Sequence, residues 1–176
     1  VTIRNTLAEN FVDHVETIEF VGDTMSFDND AILALITEAQ ATSGDDVYIG
    51  SAADDVIEAG TGNDYLQGNG GSDTYIFNLG DGQDEIRDSG SFSTDRLEFR
   101  GYNLAEASFT ALAANNNDLL ISFSGGDSVI VRDGLTTNFV NEIEEFIFDD
   151  RPLLMPVTSA EIRNLVLEEA STSGND

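Results

Sequence analysis

ATSGDDVYI (41–49), GSAADDVIE (50–58), AGTGNDYLQ (59–67) and GNGGSDTYI (68–76) follow one another without a gap and align on a nine-residue period. The sixth place is always aspartate: Asp46, Asp55, Asp64 and Asp73. The eighth is large and apolar (Tyr48, Ile57, Leu66, Tyr75), and the fourth is small (Gly44, Ala53, Gly62, Gly71). Two looser nonads, LGDGQDEIR (79–87) and GSFSTDRLE (90–98), each follow a two-residue insertion. They extend the series to Asp84 and Asp95 at place six, with Ile86 and Leu97 at place eight. Such a period is too short for a helical hairpin and out of phase with a heptad. It suits a turn of about six residues followed by a strand of about three. Glycine in the turn supplies backbone conformations that a Cβ makes costly. One apolar side chain per strand points inward, and stacked coils line these up into a narrow core. Each turn leaves peptide carbonyls and one carboxylate on the outer edge, an all-oxygen donor set of the kind hard Ca²⁺ takes.

Charge points the same way. The 176 residues hold 34 Asp and Glu against seven basic residues, all arginine, for a formal net charge of −27. Phosphate backbones and anionic membrane surfaces need the opposite sign, so nucleic acid is not expected as a partner, nor is an anionic membrane surface, and no membrane insertion by this fragment is expected. Like charge at this density strains a compact state unless a cation neutralises part of it. Cysteine is absent, which removes disulfides and thiolate metal sites. No apolar run reaches the roughly 20 residues of a membrane helix, and no signal peptide opens the sequence. A hydrophobic fraction of 40% is enough for a real core.

The nonads resemble the glycine- and aspartate-rich repeats of the RTX (repeats-in-toxin, haemolysin-type calcium-binding) family, of pattern G-G-x-G-x-D-x-U-x with U large and apolar. The likeness is strongest at AGTGNDYLQGNGGSDTYIF (59–77), and GDGQDEI (80–86) is similar to that family's usual exit from the repeats. The resemblance implies a parallel β-roll in which two nonads make one coil, with calcium held between turns n and n+2. Carried over, a first site uses Thr42, Gly44 and Asp46 with Ala59, Thr61 and Asp64. A second uses Ser51, Ala53 and Asp55 with Gly68, Gly70 and Asp73. A third pairs Gly60, Gly62 and Asp64 with Leu79, Asp81 and Asp84, and a fourth pairs Asn69, Gly71 and Asp73 with Gly90, Phe92 and Asp95. About three ions are expected, within a range of two to four. The EF-hand alternative lacks flanking helices and the closing bidentate Glu.

A longer repeat frames the short one. Residues 1–20 recur at 129–148 with eight identities in 20 positions, and ATSGDD (41–46) returns as STSGND (171–176). A unit of about 130 residues, repeated head to tail, is the expectation. It divides the chain into an N-terminal flank (1–40), a β-roll (41–98) and a C-terminal flank (99–176) in which 171–176 opens the next unit. Asp118–Arg132 predicts a hairpin turning at Gly125-Gly126-Asp127, with earlier and later strands at Ser108–Ala113 and Ile143–Phe148. A helix is expected near Ser159–Glu169 with a Thr158/Glu161 capping box, and a second near Asp30–Gln40. The predicted fold class is mainly β: a calcium-stabilised parallel roll capped on both sides by antiparallel β flanks, each with a short helix. Open roll ends expose backbone and core, so caps are physically required. The region after the repeats also resembles the domain that commonly follows haemolysin-type repeats.

An enzyme is not expected. The single histidine, His14, has Glu142 as its counterpart in the repeated flank, and no H-E-x-x-H, G-x-S-x-G or Walker loop occurs. Glu144-Glu145 and Asp149-Asp150 are adjacent pairs, which a strand would send to opposite faces. The phenylalanines (Phe109, Phe123, Phe139, Phe146, Phe148) read as core. The resemblance implies a calcium-dependent folding module of a large, secreted bacterial protein exported by type I secretion, such as a toxin or adhesin. Its partners would be calcium and neighbouring repeat units. Two alternatives stay open: an accessory roll for a protease or lipase elsewhere on the parent chain, and a module that grips a cell-surface or carbohydrate ligand.

Overall fold

A computed structural model of the chain describes residues 2–3, 17–19, 26–28, 41–90, 93–112, 117–136, 143–151 and 155–173. Two compact units divide it, Val1–Gln40 and Ala41–Asp176. In the first, β1 (Thr2–Ile3), β2 (Thr17–Glu19) and β3 (Ser26–Asp28) form an antiparallel sheet in that order. The helix expected at 30–40, His14 and Phe139 lie outside the described residues.

The second unit begins with the coils. Its strands β4 (Val47–Ile49), β5 (Val56–Glu58), β6 (Tyr65–Gln67), β7 (Thr74–Asn78), β8 (Gln83–Ile86) and β9 (Arg96–Arg100) fall alternately into two parallel sheets. β4 pairs with β6 and β6 with β8 in one sheet; β5 pairs with β7 and β7 with β9 in the other. Two nonads therefore make one coil, and each nonad stacks on the next but one. All six place-eight residues are buried, at 8% exposure or less, while Val47, Ile49 and Val56 beside them point outward. The alternation follows from the two-residue period of a strand. Stacking continues across the insertions: the first, Phe77–Asn78, lengthens β7 and pairs with Phe99 and Arg100 of β9, the second lies in the turn after β8, and Gly62 still bridges Gly82.

The C-terminal part continues both sheets. After a short 3₁₀ turn (Leu104–Glu106), β10 (Ala107–Ala111), β11 (Leu119–Phe123) and β12 (Ser128–Val131) form the expected antiparallel hairpin with one further strand. β12 then docks parallel to β8, and β13 (Glu145–Ile147) docks parallel to β9, with the short β14 (Val157–Thr158) antiparallel beyond it. The flank thus covers the last coil by adding a strand to each of its sheets, which leaves no unpaired edge there. Arg132 clamps the seam, reaching Glu85 of β8 (2.6 Å) and Asp118 (2.9 Å). The inserted Phe77 packs edge-on to Phe99 and beside Tyr102 and Phe123, so the roll core runs unbroken into an aromatic core with Phe109, Phe146 and Phe148.

Helix α1 (Ser159–Ser173) opens with the expected capping box: Glu161 donates its amide to Thr158 Oγ1 (3.3 Å), and Thr158 donates its own to Glu161 Oε2 (2.9 Å). Ile162 is buried, with Leu165 and Val166 packed against the core. Residues 171–173, expected to open a further set of nonads, are the last residues of this helix.

Candidate metal centre

Place six lies just before the strand in five nonads and is the second residue of β8 at Asp84, so stacking puts these aspartates in two rows, one along each sheet. In the first row Asp46 donates its amide to Asp64 Oδ1 (2.8 Å), and Asp64 donates its amide to Asp84 Oδ1 (3.0 Å). In the second, Asp55 donates to Asp73 Oδ1 (2.8 Å) and Asp73 to Asp95 Oδ1 (2.8 Å). Asp95 then donates to Glu144 Oε2 (2.7 Å), so the C-terminal flank supplies the next carboxylate of that row. Asp64, Asp84, Asp73 and Asp95 each spend one oxygen on the amide of the preceding aspartate in the row. The other oxygen is left for something else.

What that something is differs along the rows. Asp46 Oδ2 accepts the amide and hydroxyl of Thr42 (both 2.8 Å), and Asp55 Oδ2 accepts the amide (2.6 Å) and hydroxyl (3.1 Å) of Ser51. Asp64 Oδ2 and Asp73 Oδ2 are buried and have no hydrogen-bond partner among the described residues. A buried anionic oxygen without a partner costs several kcal/mol, on the order of that for an unpaired buried charge, so such groups are paired or coordinate metals. Burial raises the affinity of these carboxylates for a proton. Asp73 is pushed up to about 7, first by desolvation and then by the carboxylates of Asp88, Asp95 and Asp55. Asp84 also rises to about 7 by desolvation, with Asp64, Asp81 and Asp127 adding to it. Asp95 rises to about 6, and Asp64 and Asp81 move in the same direction, burial being the leading cause for both.

The turns beside the rows are shaped for close approach of backbone oxygen. Thr42 bridges Gly60, and Gly62 donates its amide to the Asp81 carbonyl (2.8 Å). At Gly62, whose φ is +151°, a Cβ would stand 2.6 Å from the Gly44 carbonyl oxygen and 2.8 Å from Asp64 Oδ1. At Gly71 (φ +112°) it would meet the Ala53 carbonyl oxygen at 2.6 Å. Only glycine fits those places, and the space it leaves is lined by carbonyl and carboxylate oxygen.

The first three groupings read from the sequence are brought together in large part. Thr42, Gly44 and Asp46 lie against Gly60, Gly62 and Asp64 of the next coil, with Ala59 buried and Thr61 exposed beside them. Ser51 and Ala53 lie against Gly70 and Gly71, Gly50 lies against Gly68, and Asp55 against Asp73. Gly62 and Asp64 meet Asp81 and Asp84, while Leu79 is tied through its amide to the Arg100 carbonyl (3.0 Å). In the fourth, Asn69 lies near Gly90 and Asp73 meets Asp95, with Phe92 outside the described residues.

Sequence reading missed several carboxylates. Asp45 and Asp54 at place five accept the amides of Asn63 (2.9 Å) and Ser72 (2.7 Å) one coil on, a second row whose signal was the doubled Asp-Asp of the first two nonads. Asp88, inside the second insertion, is buried beside Asp73 and Asp95. Asp127 of the β11–β12 turn accepts the Gly80 amide (2.9 Å) and the Tyr102 hydroxyl. The adjacent acidic pairs serve as locks with separate partners: Glu144 takes the Asp95 amide and Glu145 the Arg96 guanidinium, while Asp149 and Asp150 take the amides of Gly101 and Leu104.

A parallel roll with glycine turns, two rows of carboxylates and orphaned buried oxygens defines a class: an all-oxygen binder of hard cations. Residues 40–75 and 49–86 match the family model of the RTX calcium-binding nonapeptide repeat, four copies of it, so residues 40–86 are an array of RTX repeats and form a calcium-binding module. Comparison with curated proteins gives no match. The donor set fits the ion. Asp64 and Asp73 each hold a carboxylate oxygen ready for it, and the carbonyls of Gly44 and Ala53 line the same edges.

Proposed function

We propose that this chain is a calcium-dependent folding module of a large secreted bacterial protein, structural or adhesive or associated with a toxin, and that it has no catalytic task. The observation that carries this reading is the pair of orphaned oxygens on Asp64 and Asp73 within otherwise complete rows. Without a cation the rows set buried like charges against one another, and strands of three residues bury too little to offset chain entropy. Calcium supplies neutralisation and bridging, so its binding free energy becomes folding free energy. About three ions per chain are proposed, at the rows Asp46–Asp64–Asp84 and Asp55–Asp73–Asp95. Sites of the extracellular class, with affinities of about 10⁻⁴–10⁻³ M, would stay empty inside a cell and fill outside it, which suits export of an unfolded chain.

Circular dichroism of the whole chain during a calcium titration tests this. The β signal is expected to grow with Ca²⁺, to respond little to Mg²⁺, and to collapse on adding chelator. A spectrum that is the same in chelator and in calcium would overturn the proposal.

A further inference from the structure

At the seam between the last two nonads the pattern of two carboxylates per site is broken. Carboxylate oxygens of Asp73, Asp88 and Asp95 lie within 4.8 Å of one another, and all three residues are buried. Five of their six oxygens accept hydrogen bonds: Asp88 Oδ1 from the Gly90 amide (2.8 Å), Asp88 Oδ2 from the Tyr75 hydroxyl (3.1 Å), Asp95 Oδ2 from the Ser93 hydroxyl (3.2 Å), and Asp95 Oδ1 and Asp73 Oδ1 from the row amides of Asp73 and Asp55 (2.8 Å each). Asp73 Oδ2 has none among the described residues, although Asp73 is 0% exposed. It stands close over Gly68, where a Cβ would lie 2.1 Å from Asp73 Oδ2 and 2.5 Å from the Tyr75 hydroxyl. The orphaned oxygen and the phenol that bonds Asp88 therefore border the same small space, which exists because residue 68 has no side chain.

We propose that Asp73, Asp88 and Asp95 form a three-carboxylate calcium site, with Asp88 a ligand supplied from outside the nonapeptide pattern, and that this site fills first. The proposal rests on the calcium-binding reading above. Three formal negative charges face the ion here, against two at a site built from place-six aspartates alone, and ligand charge count is a main lever on calcium affinity. Asp73 and its row partner Asp95 are 22 residues apart, where Asp55 and Asp73 are 18, because two insertions of two residues each lie between them; the second insertion is what brings Asp88 in. Oxygen-only donors and the lack of any nitrogen or sulfur ligand select a hard cation.

The test is a calcium titration by calorimetry on the whole chain, wild type against Asp88→Asn, with Asp64→Asn run beside them. Asparagine can still accept the Gly90 amide, and it removes one charge from an acidic cluster. Asp88→Asn is expected to bind one Ca²⁺ fewer per chain and to lose the tightest step, a weakening of at least about 10-fold. An unchanged stoichiometry and first step would overturn the site while leaving the repeat sites standing. A wild type that binds no calcium would overturn both. Should Asp88→Asn not fold, terbium luminescence excited through tyrosine decides: Tyr75→Phe is expected to cut the emission that appears first in the titration, and full emission in that variant would overturn the proposal.

Discussion

Asp64→Asn separates a calcium-bridged row from a merely hydrogen-bonded one. Asp64 sits mid-row, accepting the Asp46 amide and donating to Asp84, and its second oxygen is buried and orphaned. It stands in two of the proposed sites, whereas Asp46 stands in one, and Asp46 Oδ2 already accepts the amide and hydroxyl of Thr42 in its own turn. At free calcium about 100 times the dissociation constant, each filled site adds about 2.7 kcal/mol to stability. Losing two sites should therefore cost about 5 kcal/mol for Asp64→Asn, against about 3 kcal/mol for Asp46→Asn. In chelator the sign reverses for Asp64, because the substitution removes a buried charge that nothing compensates. Urea denaturation of the wild type and both variants, in calcium and in chelator, reads both effects. Equal losses for the two variants in calcium, or a loss at Asp64 of the same size in chelator, would refute the shared-ligand reasoning.

Acidity should act oppositely on the calcium-free and calcium-loaded roll. Asp73 and Asp84 rise to about 7 and Asp95 to about 6 from 3.8, so the fold favours their protonated forms. That contribution is full below pH 3.8 and is lost as pH climbs through 6 to 7. Melting of the chelated protein should thus fall between pH 5 and pH 8 (about the window of those carboxylates), while calcium affinity climbs over the same range; a flat chelated profile would contradict this. Gly82→Ala should be among the costliest turn changes, above about 2 kcal/mol, since its Cβ would lie 2.1 Å from the Gly62 carbonyl oxygen at φ +109°. Gly126→Ala, at φ +100° but with open space around it, should cost only about 1 kcal/mol, so similar melting losses would argue against the packing of the coils. Arg132→Met should cost roughly 1–2 kcal/mol with or without calcium, because it leaves the half-buried Glu85 and buried Asp118 carboxylates without their shared cation. A loss confined to calcium-loaded protein would show that the clamp belongs to the metal sites.

The roll was legible because its physics repeats. Period nine sets the turn and strand lengths, and the apolar residue at place eight is buried in all six nonads, from Tyr48 to Leu97. The carboxylate at place six was equally plain. What the sequence hid is what breaks register or comes from far away. Asp88 falls in an insertion, outside any place of the repeat. Glu144 joins the second row from 49 residues beyond Asp95, by way of the parallel pairing of β13 with β9. The hairpin of β11 and β12 has a local signal, a Gly-Gly-Asp turn between alternating strands, but its docking against β8 depends on which strand is left unpaired when the coils end. Nothing within the hairpin announces that.

The most direct measurement is a crystal structure of the chain grown in excess Ca²⁺, with the ions located by anomalous scattering. Calcium is expected beside Asp64 Oδ2 and Asp73 Oδ2, between coils that keep the pairing of β4 with β6 and β5 with β7. An intact stack in saturating calcium, with no ion at either oxygen, would contradict the claim that calcium holds the coils together.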